Sequence, residues 1–338
     1  MGFDGSLGRV YSSPQPIRRS PSTGDNLIQF PTILVRDKQA ASPMEFAGGL
    51  RAAEKLALGY FTYAVIASFV YPLSLRERLA VAGLNLAASS VILLLSKFSA
   101  GHQGKLLSTL RDWFPCVLIP LAYRESGLFF VPDPTHHFDY LLARWDSVLF
   151  SNPWVLGVFS FFSPWLQRYL EFSYLLCYPL LPLGLGSIYL ARRRPSLARG
   201  SGIRADQAID HFWTAVLLAL FCCYVLFPLF PSTPPRTLFH DFPGPTVRPL
   251  LRTMNFWVLD HYGIHSSVFP SGHVAAVTAV ALALRAQLPR VGVVFSIAAL
   301  SVAAATVYGR YHYAADAAAG ALIGVAAFFV SSRIHRSR

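Results

Sequence analysis

The feature that most constrains this chain is a series of apolar runs, each about twenty residues long, separated by short polar and basic stretches. They lie at about 56–74, 79–96, 113–131, 166–190, 211–229, 270–287, 291–308 and 316–331. Runs of that length match the hydrocarbon thickness of a bilayer, where a backbone must satisfy its own hydrogen bonds. The pattern predicts an all-α, polytopic transmembrane helical bundle of about six to eight spans. Composition agrees: of 338 residues, 54% are hydrophobic and 14% charged, too apolar for an ordinary soluble chain.

The formal net charge of +12 raises the question of nucleic acid. The basic residues sit in short runs beside apolar segments, where they set membrane orientation, and no nucleic-acid motif accompanies them. The bilayer is the expected partner, and nucleic acid is not. Cys116, Cys177, Cys222 and Cys223 all fall inside apolar runs and read as small buried hydrophobes. No metal-binding spacing occurs, and His136-His137 reads as interface polarity, because adjacent side chains point apart. No metal or cofactor is expected.

Residues 1–45 are rich in Ser, Pro and Arg and lack a sustained apolar run, so they predict a disordered cytoplasmic tail. There is no signal-peptide core, and the first span is expected to direct insertion. Residues 46–332 form one transmembrane domain in this reading, and 333–338 a short basic tail. The third run carries Pro115, Pro120 and the triplet Tyr123-Arg124-Glu125. Arg124 and Glu125 point about 100° apart on a helix and need separate partners. They are expected at the outer interface or beside a polar cavity, a possible substrate pocket. Residues 132–165 mix prolines, acids and aromatics, which suits short interfacial helices.

Lys and Arg bias puts the tail, the 97–111 and 192–204 loops, the Arg285–Arg290 turn and the C-terminus on one side, the cytoplasmic one. Arg76 and Arg78 are the exceptions. Three polar motifs then share the opposite face: Arg236, Pro270-Ser-Gly-His273, and Arg310-Tyr-His-Tyr-Ala-Ala-Asp316. His312 and Asp316 lie one helical turn apart, so the carboxylate can orient the imidazole. Ser271 and Gly272 open a helix whose free N–H groups favour an anion. Arg236 and Arg310 can each grip phosphate oxygens with a bidentate fork. Two imidazoles then divide the chemistry. His312, backed by Asp316, attacks phosphorus, and His273 protonates the leaving oxygen. His240, His261 and His265 in the preceding loop read as ordinary loop polarity.

Pro270-Ser-Gly-His273 followed by His312-x-x-x-Asp316 resembles the type 2 phosphatidic acid phosphatase superfamily, which includes the vanadium haloperoxidases. Phe230-Pro-x-x-Pro-Pro-Arg236 and Arg310-Tyr-His-Tyr-x-x-Asp316 are more similar to its inositol phosphorylceramide synthase branch. Arg111-Asp-Trp-x-Pro115, Tyr123-Arg124-Glu125 and Asp146-x-x-Leu-Phe150 also look like that branch. The resemblance implies a catalytic core at about 205–332 and a metal-independent phosphohistidine mechanism, with His312 as nucleophile, His273 as acid and Asp316 as orienter. It also implies a lipid substrate with a phosphate-containing head group. A cell (inner) membrane location is expected, with the site outside and both termini cytoplasmic. Two departures stand out. The superfamily's lysine, seven residues before its first-motif arginine, is Leu229 here. Its third-motif arginine, six before the histidine, is Thr306. A haloperoxidase and a catalytically silent lipid transporter remain alternative classes, and water or a lipid alcohol remains open as acceptor.

Overall fold

The computed structural model describes residues 49–99, 105–151, 163–193, 205–239, 250–264 and 267–336. The predicted tail at 1–45, most of the 192–204 basic loop, His240 and His265 lie outside them. The described residues form helices and connecting turns, with no strand among them. In chain order the helices are α1 (Ala52–Val70), α2 (Leu75–Phe98), α3 (Lys105–Trp113), α4 (Pro115–Ser126), α5 (His137–Phe150), α6 (Pro164–Leu175), α7 (Leu180–Arg193), α8 (Ala205–Leu226), α9 (Leu250–Tyr262), α10 (Gly272–Gln287), α11 (Pro289–Tyr308) and α12 (Ala314–Arg336). A single turn, Pro235–Leu238, lies between α8 and α9.

Local sequence explains where helices begin. Ser74 caps α2 by accepting the Glu77 N–H, and the Glu77 carboxylate returns the bond to the Ser74 N–H at 2.8 Å. Ser163 caps α6 ahead of Pro164, and Ser271 caps α10 by accepting the Val274 N–H. Pro289 opens α11, splitting one long apolar stretch into two antiparallel helices.

The centre is built by α8, α10 and α12, which pack against one another, while α1 and α4 cover α8 and α11 covers α10. Most of α8 is buried, from Ile209 through Trp213 to Tyr224. Helix α10 is rich in alanine, and α12 presents Gly320 and Gly324 to it. A Cβ at Gly320 would stand 2.3 Å from the Ser271 carbonyl oxygen, and one at Gly324 2.5 Å from that of Ala275. The small residues therefore set how closely the two helices approach.

Four described helices are long and apolar enough to cross a membrane: Leu75–Phe98, Asp206–Leu229, Pro289–Tyr308 and Ala314–Arg336. Helices α6 and α7, bent by 73°, make a fifth if they count as one broken span. The other expected spans are shorter or more polar. Glu54 and Lys55 occupy the first turn of α1, Pro120 interrupts the twelve residues of α4, and α10 has sixteen. Large apolar side chains face outward along α2, α11 and α12, including Leu86, Leu94, Ile297, Leu300 and Leu322. Those surfaces suit lipid. The region expected to hold interfacial helices contains α5, which is inverted: Asp139 and Asp146 are buried while Tyr140, Trp145 and Val148 are exposed.

Candidate active site

Three chain segments converge at one end of α8, α10 and α12. The first carries Arg236, just beyond α8. Ser232 and Ser267 bond to each other at 2.9 Å, and Ser232 Oγ accepts the N–H groups of Val268 and Phe269 at 3.2 and 3.1 Å. This pins the Arg236 segment to the residues leading into Pro270. From outside, Asp139 of α5 accepts the Thr233 N–H at 2.6 Å.

The second segment is the start of α10. Ser271 is fully buried and its own groups are committed: its N–H donates to the Asp316 carbonyl at 3.0 Å and its hydroxyl caps Val274. Ser271 was expected to offer donors to an anion, and the geometry uses it as a brace instead. Gly272 begins the helix and is in ordinary contact with its neighbours. His273 follows, its ring against those of Tyr174, Tyr178 and His312.

The third segment is the turn between α11 and α12. Thr306 does not supply the missing superfamily arginine's charge, but its carbonyl accepts the N–H groups of Tyr311 and His312 at 2.9 and 3.1 Å. Asp146 of α5 accepts the Ala314 N–H at 3.0 Å, securing the start of α12 between His312 and Asp316. His312 Nδ1 faces Asp316 Oδ2 at 3.3 Å, and the same oxygen accepts the Tyr313 N–H at 3.0 Å. Both residues are buried, and Asp316 Oδ1 has no hydrogen-bond partner among the described residues. The rings of His312 and His273 face each other with centroids 5.8 Å apart. Burial, then the nearby Arg236 charge, push the His312 imidazole down to about 3, against a hydrogen bond to the Val268 backbone. His312 is neutral at ordinary pH, the form a nucleophilic nitrogen requires.

Arg310 lies in the left-handed region at φ 60°, an uncommon conformation for a side-chain-bearing residue. Its carbonyl accepts the Arg236 N–H at 3.2 Å, and its guanidinium donates to the carbonyls of Pro235, at 3.3 Å, and Phe239. The expected phosphate fork is thus turned onto the Arg236 turn. Tyr123, Arg124 and Glu125 take different partners. Tyr123 accepts the Ile264 N–H at 3.2 Å, and Arg124 reaches the Gly263 carbonyl at 3.3 Å, so both steady the approach to Pro270. Glu125 faces the other way and accepts from Asn85 of α2 at 3.1 Å. Arg124 and Glu125 do take separate partners, as their helical spacing requires.

Sequence reading missed a second tier beneath the site. Glu171 of α6 is buried and accepts from Tyr311 at 2.7 Å and Asn255 at 2.9 Å, and it pairs with Arg252 of α9. A charge inside an apolar run was the available signal for Glu171. For Asp139 and Asp146 the signal was their seven-residue spacing, which places both on one helical face.

With this geometry in view, the comparisons with known proteins bear directly on it. The family model described as PAP2 superfamily matches residues 141–330, more than half of the chain and all three segments, and the chain belongs to that superfamily. A PA-phosphatase related-family protein of Dictyostelium discoideum is 29% identical over 127 residues, covering 33% of this chain. The match spans only 21% of that relative's own length. No solved structure matches the chain. Membership and the apolar helices together indicate an integral membrane protein.

Proposed function

We propose that this chain cleaves a lipid phosphoester or phosphodiester at its non-cytoplasmic face through a phosphohistidine on His312, without metal. The observation that carries this reading is the pairing of two imidazoles, ring centroids 5.8 Å apart, with Asp316 behind the buried His312. Asp316 engages Nδ1 of His312, which leaves Nε2 as the attacking nitrogen. Its lone pair forms the N–P bond as the P–O bond to the leaving alcohol breaks. His273, entering the step as imidazolium, gives that oxygen its proton and is left neutral. In the second half, water or an alcohol attacks phosphorus, the N–P bond breaks, and His273 takes the proton back. Arg236 and the N-terminus of α10 from Gly272 onward stabilise the phosphoryl oxygens. Arg310 and Ser271 hold these groups in place.

Water as acceptor makes the enzyme a lipid phosphatase. A second reading is transfer of a phospho-head-group, such as inositol phosphate, to ceramide or diacylglycerol. It is favoured by the Phe230–Arg236 and Arg310–Asp316 sequence forms, which the Arg236–Arg310 backbone bond joins. The test incubates purified protein with a panel of labelled phospholipids, with and without ceramide or diacylglycerol, beside His312→Ala. The account expects release or transfer that survives chelator and disappears in His312→Ala. Activity persisting in that variant, or depending on a divalent metal, would overturn it.

A further inference from the structure

Tyr311 adjoins His312 but has no part in the proton transfers above. One face of its ring stacks on Tyr174, with centroids 3.8 Å apart and planes at 13°. Its hydroxyl donates to Glu171 at 2.7 Å, and Glu171 is itself held by Asn255 and Arg252. The guanidinium of Arg236 lies over the Tyr311 ring, 5.4 Å from its centroid. The backbone N–H of Arg236 donates to the carbonyl of Arg310, the preceding residue. The Arg310–Tyr311 pair thus grips Arg236 at its backbone and at its charge.

We propose that Tyr311 is a positioning residue, a platform that presents the Arg236 guanidinium to the phosphate of the substrate. The proposal rests on Arg236 binding phosphate. A free arginine side chain samples many rotamers, and ordering it costs binding free energy. The π-face of a tyrosine holds a guanidinium by its charge and leaves the N–H edges directed outward. The ring does the holding, while the hydroxyl, through Glu171, fixes the ring's tilt. The sequence lacks both the superfamily's lysine before this arginine and its arginine before the histidine, with Leu229 and Thr306 in their places. Arg236 then has to be well aimed, and the platform supplies the aim.

The experiment measures KM, kcat and inhibition by orthovanadate, a phosphate-shaped anion, on full-length protein. The variants are Tyr311→Phe, Tyr311→Leu, Arg236→Lys and the Tyr311→Leu/Arg236→Lys double. Tyr311→Leu is expected to raise KM and the inhibitory vanadate concentration about tenfold, the size of a partly desolvated cation–π contact. Tyr311→Phe, which keeps the ring, should lose about twofold. The double variant should be no worse than Arg236→Lys, because the two residues act as one unit. If Tyr311→Leu does not fold, Tyr311→Met, whose flexible side chain fills irregular gaps, takes its place. Vanadate inhibition equal to wild type in a folded ring-less variant would overturn the platform, and so would equal losses in the Phe and Leu variants. If Arg236→Lys and His312→Ala themselves leave activity intact, the phosphate reading falls with it. If they abolish activity and the ring-less variant does not weaken vanadate, the platform alone falls.

Discussion

The same three helices carry buried polar clusters at both ends of the bundle, and the two clusters look alike at first. At one end His312 faces Asp316 at 3.3 Å; at the other, His335 faces Asp210 at 3.2 Å. Their surroundings separate them. In the second cluster the neighbouring His211 has both ring nitrogens engaged, with Ser332 at 3.1 Å and Gln287 at 3.0 Å. Asp210 also accepts the N–H groups of Ala52 and Ala53 at 3.1 and 3.0 Å, fastening the start of α1. That cluster joins α1, α8, α10 and α12. At the first end, His273 packs against the rings of Tyr174 and Tyr178, a second imidazole stands beside it, and Arg236 is close by. A His–Asp distance therefore does not distinguish catalysis from bracing. What distinguishes them is what surrounds the pair: bonds that tie four helices together at one end, and a second imidazole and an arginine at the other.

The contrast can be broken most sharply at His312. His312→Ala should lose on the order of 10⁴-fold or more in kcat, as removal of a covalent nucleophile does. His273→Ala should lose on the order of 10²–10⁴-fold. Steady-state rates per folded protein check both, and a loss under tenfold in either would merge the two ends. Next comes the spacing that brings the imidazoles together. Gly320→Ala places a methyl 2.3 Å from the Ser271 oxygen, so α10 and α12 must separate. A displacement of about 1 Å at reacting groups costs on the order of 10²-fold, and this variant should lose that much while staying helical by circular dichroism.

The bracing end should answer in the other currency. His211→Ala removes the partner of Gln287 and Ser332 and should cost about 1–3 kcal/mol of stability. Turnover per folded molecule should stay within about twofold of wild type. Thermal unfolding and rate measured on one preparation test the pair of outcomes. The smallest effect concerns pH. His312 titrates near 3 when folded and near the ordinary 6.5 when unfolded. Its burial as a neutral group therefore contributes stability above about pH 6.5, and that contribution is lost as pH falls toward 3. His312→Gln should flatten the fall of melting temperature across that window, and an unchanged slope would show that His312 is already charged there.

The apolar runs made the helical membrane bundle legible, because burial in lipid leaves a backbone little choice. The orientation of charges likewise grouped Arg236, His273 and His312 on one face, and the structure brings them together. What escaped the sequence is long-range. Asp146 meets the Ala314 N–H across 168 residues, and Glu171 meets Tyr311 across 140. Neither contact leaves a local pattern. Arg310 illustrates the same limit. Its residue type suits a phosphate, but its left-handed backbone turns the side chain toward Pro235 and Phe239. That conformation is enforced by tertiary bonds, which spacing does not reveal. The number of spans is less legible: among the described residues four or five helices are long and apolar enough to cross, while α4 and α10 are apolar but short.

The central claim is that His312, and not another imidazole, carries phosphorus. The direct measurement is a rapid quench of protein with a phospholipid radiolabelled in its phosphate, followed by peptide mapping under alkaline conditions that preserve phosphohistidine. Label should appear on the peptide containing His312 and vanish in His312→Gln. Label on His273, or turnover with no labelled histidine at all, would contradict the account.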